Sequence, residues 1–260
     1  MIKSIFLILV FAMTLPAFAD WTPPDNPDPQ VILQEAKADA MAKRYEDALA
    51  KHLWFHRNAL KLKPGLYGVR LSFALSYWEK LGREYPPALA KLKTIRDDAR
   101  TTATISKSKD AREAFHDFMS INQTLEEDIE TKTLFAELDK ENSPVAKEVF
   151  DIALPSLIKA KEYKLCGKYL EPESAFERSR KLFHENMRLA KDPKFGDRLQ
   201  QFAESRFLND TATLVALLVV NDRKPEAIEI AAQAKKEWAN DRFHVTLDKA
   251  LKGVVPKPLR

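Results

Sequence analysis

From Val31 onward, apolar residues recur at the three-to-four spacing of an amphipathic helix, and they do so for over two hundred residues. Breaks in that rhythm fall at Pro, Gly or Asn/Asp clusters, where helices stop. The pattern predicts helices over 30–62, split near Lys43–Tyr45, and over 68–100, split near Gly82–Pro86. Further helices are predicted over about 111–140, 144–169, 172–191, 195–221 and 225–252. Ser143-Pro144 and Glu171-Pro172 each place proline at a first helical turn, where its missing N–H costs nothing. An interior proline costs about 3 kcal/mol, so Pro155 is expected to divide its segment. No useful stretch shows the period of two that marks a strand. Leu214–Val220 comes nearest, but its flanks keep the helical period, so it reads as a buried helix. The fold class read from the pattern is all-α.

Composition narrows the possibilities further. The chain has 260 residues, of which 6 are Gly, 15 Pro and 1 Cys. That glycine content is roughly a third of the usual ~7%. It disfavours phosphate-cradling loops, doubly wound sheets and tight hairpins, which need Gly at fixed places. A single cysteine excludes an intramolecular disulfide framework and Cys-rich metal modules. The formal net charge is +4, with 42 basic and 38 acidic residues interspersed along every helix. A nucleic-acid binder would gather its basic residues on one face, so no nucleic-acid partner is expected. One stretch is lopsided: Glu126, Glu127, Asp128, Glu130, Glu137, Asp139 and Glu141 oppose only Lys132 and Lys140. It reads as a solvated helix face, or alternatively as a surface for a cation or basic partner.

The first nineteen residues read as a secretion signal. Lys3 gives a positive start, Ile5 through Leu15 an apolar run, and Ala17-Phe18-Ala19 a cleavage site before Asp20. The run is short for a membrane span of ~20 residues, so no stable membrane insertion is expected after cleavage. The expected location is a periplasm or the cell exterior. Residues 20–30 hold four prolines and read as an extended leader, 31–252 as one elongated helical domain, and 253–260 as a tail.

Within the domain a segment repeats. Tyr45-Glu46-Asp47-Ala48-Leu49-Ala50-Lys51 recurs forty residues later as Tyr85-Pro86-Pro87-Ala88-Leu89-Ala90-Lys91. Upstream, Leu33 and Ala36 match Phe73 and Ser76 at the same offset. A third, weaker match runs from Leu214, Val215 and Leu218 to Pro225-Glu226-Ala227-Ile228 and Ala231. Physically this describes a helical hairpin. A small residue lets the two helices approach, an aromatic fills the turn, and Ala-Leu opens the packed face of the second helix. The pattern resembles the tetratricopeptide repeat, with Tyr45, Ala48 and Leu49 at its turn and second-helix start. Large aromatics such as Trp54, Trp78 and Tyr45 are expected to fill the core. The resemblance implies a stacked α-solenoid with a concave groove. Its groove-facing positions would be Leu33, Lys37 and Met41 on one helix, then Phe73, Tyr77 and Lys80 on the next. Apolar surface beside cationic heads suits an extended or helical peptide of acidic character.

Other motifs invite chemistry. His52 and His56 lie four apart on one predicted helix, a spacing that holds a transition metal, but Leu53 stands where a metalloprotease carries Glu. Packing is the reading for the pair, and no metal is expected. Glu173-Ser174-Ala175-Phe176 resembles the Glu-Ser-x-Phe motif of lytic transglycosylases, whose Glu is a catalytic acid; the glycine-bearing motifs that accompany it there are missing. Ser156-Leu157-Ile158-Lys159 matches Ser-x-x-Lys without the Lys-Thr-Gly strand it needs. Cys166 reads as a buried thiol. The sequence is thus expected to encode an exported, non-catalytic helical-repeat protein that binds a protein or peptide and needs no cofactor. The alternative is a periplasmic glycan-cleaving enzyme using Glu173.

Overall fold

The computed structural model describes residues 21–105, 109–141 and 143–259. The signal sequence expected at 1–19 lies outside the described residues. Among the described residues, thirteen α-helices and one short 3-10 turn account for the regular structure and no strand occurs. The chain is all-α. It divides into two compact units, one up to Lys93 and one from Thr94 onward.

The first unit begins with the proline-rich leader. Asp28 caps α1 (Pro29–Met41) by accepting from the Gln30 N–H at 2.8 Å, and Pro29 occupies the first turn. After α1 come α2 (Tyr45–Leu62), the 3-10 turn Pro64–Leu66, α3 (Tyr67–Arg70), α4 (Phe73–Glu84) and the start of α5 (Pro86–Ile105). Leu33, Phe55, Ala59, Leu66 and Ala74 form an apolar cluster, with Trp54 and Tyr77 packed on its edge. Leu33 was expected to face a groove; it is 4% exposed and belongs to this core. Trp78 is buried and its indole N–H donates to the Ala88 carbonyl at 2.9 Å. Trp54 and Tyr45 are only half-buried. Gly82 lets α4 and α5 approach, since a Cβ there would stand 2.9 Å from the Leu89 Cβ.

The second unit contains α6 (Lys109–Thr124), α7 (Asp128–Lys140), α8 (Pro144–Lys159), α9 (Tyr163–Gly167), α10 (Pro172–Leu189), α11 (Gly196–Val220), α12 (Lys224–Glu237) and α13 (Asp241–Ala250). Helix α11 is its axis and packs against α9, α10, α12 and α13. The run Thr211–Leu218 on α11 is wholly buried, in keeping with the helix expected there. Beside it, Phe207 stacks on Phe183 at 4.6 Å and meets Phe243 at 5.3 Å. Trp238 lies 5.1 Å from Phe243, which closes an aromatic cluster.

Four expected helices are each two. Breaks fall at 71–72, 125–127, 160–162 and 238–240, none of which carries Gly or Pro. Pro155, by contrast, does not divide α8, which runs from Pro144 to Lys159 through it. The burial of Val149, Ile152, Ala153 and Leu157 on that helix offsets the one backbone hydrogen bond that proline forfeits.

Two of the unexpected breaks, at 125–127 and 160–162, share a geometry with two that the sequence did mark. Lys43, Glu126, Lys161 and Asp222 take φ of 61°, 60°, 59° and 65°. In each case the following N–H bonds a carbonyl five residues back: Arg44 to Asp39 at 2.9 Å, Glu127 to Asn122 at 2.8 Å, Glu162 to Leu157 at 2.9 Å and Arg223 to Leu218 at 2.9 Å. These are Schellman helix ends with a non-glycine residue in the left-handed position. The fifth residue beyond it is always small and fully buried, namely Ala48, Thr131, Cys166 and Ala227. A small side chain there lets the second helix of each pair close on the first.

Candidate functional site

Residues forty apart meet in the first unit. The Tyr45 and Tyr85 rings stack at 5.6 Å, and the Lys37 ammonium lies 5.3 Å over the Tyr77 ring. Met41 is 78% exposed and Phe73 64% exposed, and Lys37 and Lys80 are exposed as well. Of the expected binding residues, the structure therefore pairs Lys37 with Tyr77 and leaves Met41, Phe73 and Lys80 facing solvent.

The second unit holds a groove of about 970 Å³ between α8, α10 and α11. The sequence did not reveal it. Leu214 and Leu217 from α11 and Phe176 from α10 give it an apolar lining. Phe150 and Tyr169, stacked at 5.5 Å, add an aromatic wall. Three buried hydroxyl oxygens on its lining residues, those of Ser179, Thr211 and Thr213, have no hydrogen-bond partner among the described residues. Each is closed to solvent, and leaving such a group unpaired costs about 1–3 kcal/mol.

Ion pairs rim the groove. Arg112 grips Asp151 with two bonds of 2.8 Å, Lys147 meets Glu171 at 2.6 Å and Arg206 meets Asp210 at 3.4 Å. Burial opposes the Asp151 charge, but the Arg112 hydrogen bond and charge outweigh it and hold that carboxyl below its usual value. At Asp210 burial prevails over the more distant Arg206 and pushes the carboxyl up. The lining also includes Pro258 and Leu259 from the segment after α13. That segment is tethered where the Asn209 side-chain amide donates to the Lys257 carbonyl at 2.8 Å.

The remaining motifs fall into structural roles. Glu173 is exposed in the first turn of α10, where a carboxylate suits the helix N-terminus, and it does not line the groove. His52 is buried and stacks on Trp78 at 5.7 Å, and burial pulls its imidazole down to about 4. His56 packs edge-on to the same indole, with its Nε2 3.1 Å from the Arg70 guanidinium. Ser156 and Lys159 both bind Asp128, at 3.3 and 2.7 Å, and so tie α8 to α7. Cys166 is fully buried, and burial pushes its thiol up to about 12, which makes it a poor nucleophile.

The acidic stretch at 126–141 finds bases from neighbouring elements. Glu127 pairs with Arg96, Glu137 with Arg100, Asp128 with Lys159 and Asp139 with Lys168. Hydrogen bonds from Lys168 and Tyr169 hold the Asp139 carboxyl below its usual value, against the opposing effect of burial. Among the described residues, no group of three or more His, Cys, Asp or Glu is placed to hold a metal ion, and no helix is long and apolar enough to cross a membrane. Comparison with known protein families, with curated proteins and with solved structures finds no match for this chain.

Proposed function

We propose that this chain is an exported, non-catalytic protein of tetratricopeptide-like helical hairpins, stacked as an α-solenoid, which holds a protein or peptide partner. The observation that carries the reading is the groove of the second unit, where an apolar and aromatic lining is rimmed by the Arg112–Asp151, Lys147–Glu171 and Arg206–Asp210 pairs. Binding sites for extended ligands have this make-up: apolar area for affinity, a few placed polar groups for register. The contacts between residues forty apart favour stacked hairpins. The exposed face of Lys37, Met41, Phe73, Tyr77 and Lys80 is a second surface for such a partner.

The glycan-cleaving alternative asks for a carboxylic acid under apolar cover, with a raised pKa. The exposed position of Glu173 at a helix start argues against it. Panning a randomised peptide library against the chain tests the reading. Enriched peptides are expected, and their binding is lost on Phe202→Glu if the groove holds them, or on Phe73→Glu if the first unit does. No enrichment over an unrelated folded helical protein, or a peptidoglycan-clearing activity abolished by Glu173→Gln, would overturn it. Export is checked by mass spectrometry of the mature chain, which should begin at Asp20.

A further inference from the structure

The segment that follows α13 carries no regular structure, and its far end is seated at the groove. Gly253, with φ of 81°, turns the chain off the helix. Val255 then packs on the apolar core, the Asn209 amide holds the Lys257 carbonyl, and Pro258 and Leu259 enter the groove lining. Pro256 and Pro258 fix φ near −65° and carry no N–H, so this segment offers carbonyls for recognition along most of its length. The groove side offers a matching donor in the Asn209 amide, already engaged by the Lys257 carbonyl. Aromatic residues complete the match: Phe150, Tyr169 and Phe202 line the groove, and proline-rich extended peptides dock in aromatic-lined grooves.

We propose that this groove is a receptor for extended, proline-spaced apolar peptides read through their main-chain carbonyls, and that residues 254–259 occupy one end of it in competition with them. The proposal rests on the peptide-holding reading above and names the class of peptide. The tail shows one docked example, seated by a side-chain amide of α11 on a peptide carbonyl. Leu259 remains 48% exposed at the groove, so an incoming peptide has only a lightly held segment to displace.

The probe is a fluorescein-labelled peptide of sequence Val-Val-Pro-Lys-Pro-Leu, followed by fluorescence anisotropy. It is titrated against the full chain and against a chain ending at Val255, which keeps the residue packed on the core. The shortened chain is expected to bind the probe about tenfold more tightly, the scale of a lost intramolecular competitor. Asn209→Ala in the shortened chain should weaken binding several-fold, the loss of one hydrogen bond. A probe with both prolines replaced by alanine should bind more weakly too. If the shortened chain fails to fold, the full chain with Pro258→Asp and Leu259→Asp gives the same reading. Equal affinity for tail-bearing and tail-free chains would overturn the proposal, as would affinity indifferent to Asn209 or to the prolines. If the probe fails while library peptides bind in a Phe202-dependent way, this inference falls and the peptide-holding function stands. If neither probe nor library binds, both fall.

Discussion

The two units bury different things. The first buries charged and titratable groups as well as apolar ones: Asp39 is 5% exposed, Lys51 8%, and His52 1%. The Asp39 carboxylate takes Lys51 at 2.6 Å and also Arg44. The second unit packs a large apolar core with an aromatic cluster, and its buried polar groups are chiefly hydroxyls and one amide. A buried ion pair adds little net stability, because desolvation consumes most of the Coulomb gain, whereas buried aromatic area is almost all gain. The first unit should therefore respond to pH and charge, and the second to lost volume.

The sharpest test of that contrast is Phe207→Ala. Phe207 touches Phe176, Phe183, Trp238 and Phe243, so its removal should cost about 3–5 kcal/mol. Hydrogen exchange resolved by peptide should show that loss in the second unit, while the first keeps its protection. An equal loss in both would break the comparison.

Next in size is acidification. His52 falls from 6.5 to about 4 in the folded chain. Between those values the unfolded state binds a proton that the folded state refuses, so stability falls as pH falls from about 7 to 4. The loss amounts to about 3 kcal/mol. Below that window the Asp39 carboxyl adds to the loss. Burial raises its pKa, but Lys51 and Arg44 outweigh burial and hold it low, so its contribution is present above its unfolded value and lost as pH drops through the folded one. The second unit has one carboxyl of opposite sign: Asp210, raised by burial, gains relative stability on acidification. Urea unfolding at pH 7 and pH 4.5 should show the first unit weakened, and His52→Phe should flatten its slope. A slope unchanged by that substitution would remove His52 as its source.

Smaller effects are expected where glycine permits close approach. Gly82→Ala in the first unit and Gly167→Ala in the second should each cost about 1–3 kcal/mol. The added Cβ meets Leu89 in one case and the Asn221 side chain in the other. That Asn221 amide donates to the Tyr163 and Leu217 carbonyls, both at 2.8 Å. Gly167→Ala should therefore loosen the start of α9, read as faster exchange there, while Gly82→Ala should leave exchange in that region unchanged.

The smallest expected effect is a gain. Lys161→Gly relieves a left-handed backbone that costs a side-chain-bearing residue about 1 kcal/mol, and it should raise the melting temperature by a few degrees.

These positions also explain what the sequence made legible. The forty-residue self-match was visible because Tyr45 and Tyr85 each precede an Ala three residues on. The same spacing then places Ala48 and Ala88 in the core. The connectors at Glu126 and Lys161 were not visible. Their left-handed residues are not glycine, and the buried small residue that follows is Thr131 in one and Cys166 in the other. Tyr163-Lys164-Leu165-Cys166 repeats the aromatic-to-small spacing of Tyr45–Ala48, and that signal could have found α9. In the second unit the third match placed Ala227 and Ala231 in the core, while Ile228 beside them is 52% exposed. The groove could not be read at all. Its parts come from α8, α10, α11 and the tail, far apart in the chain.

The recurrent connectors have one more consequence. Arg44, Glu127, Glu162 and Arg223 stand between helices, yet their N–H groups are bonded back to the preceding helix. To a protease or to solvent deuterium, such a junction behaves as the last rung of a helix. These amides should exchange no faster than those of the adjoining helix ends, and proteolytic nicking should spare the hairpin turns.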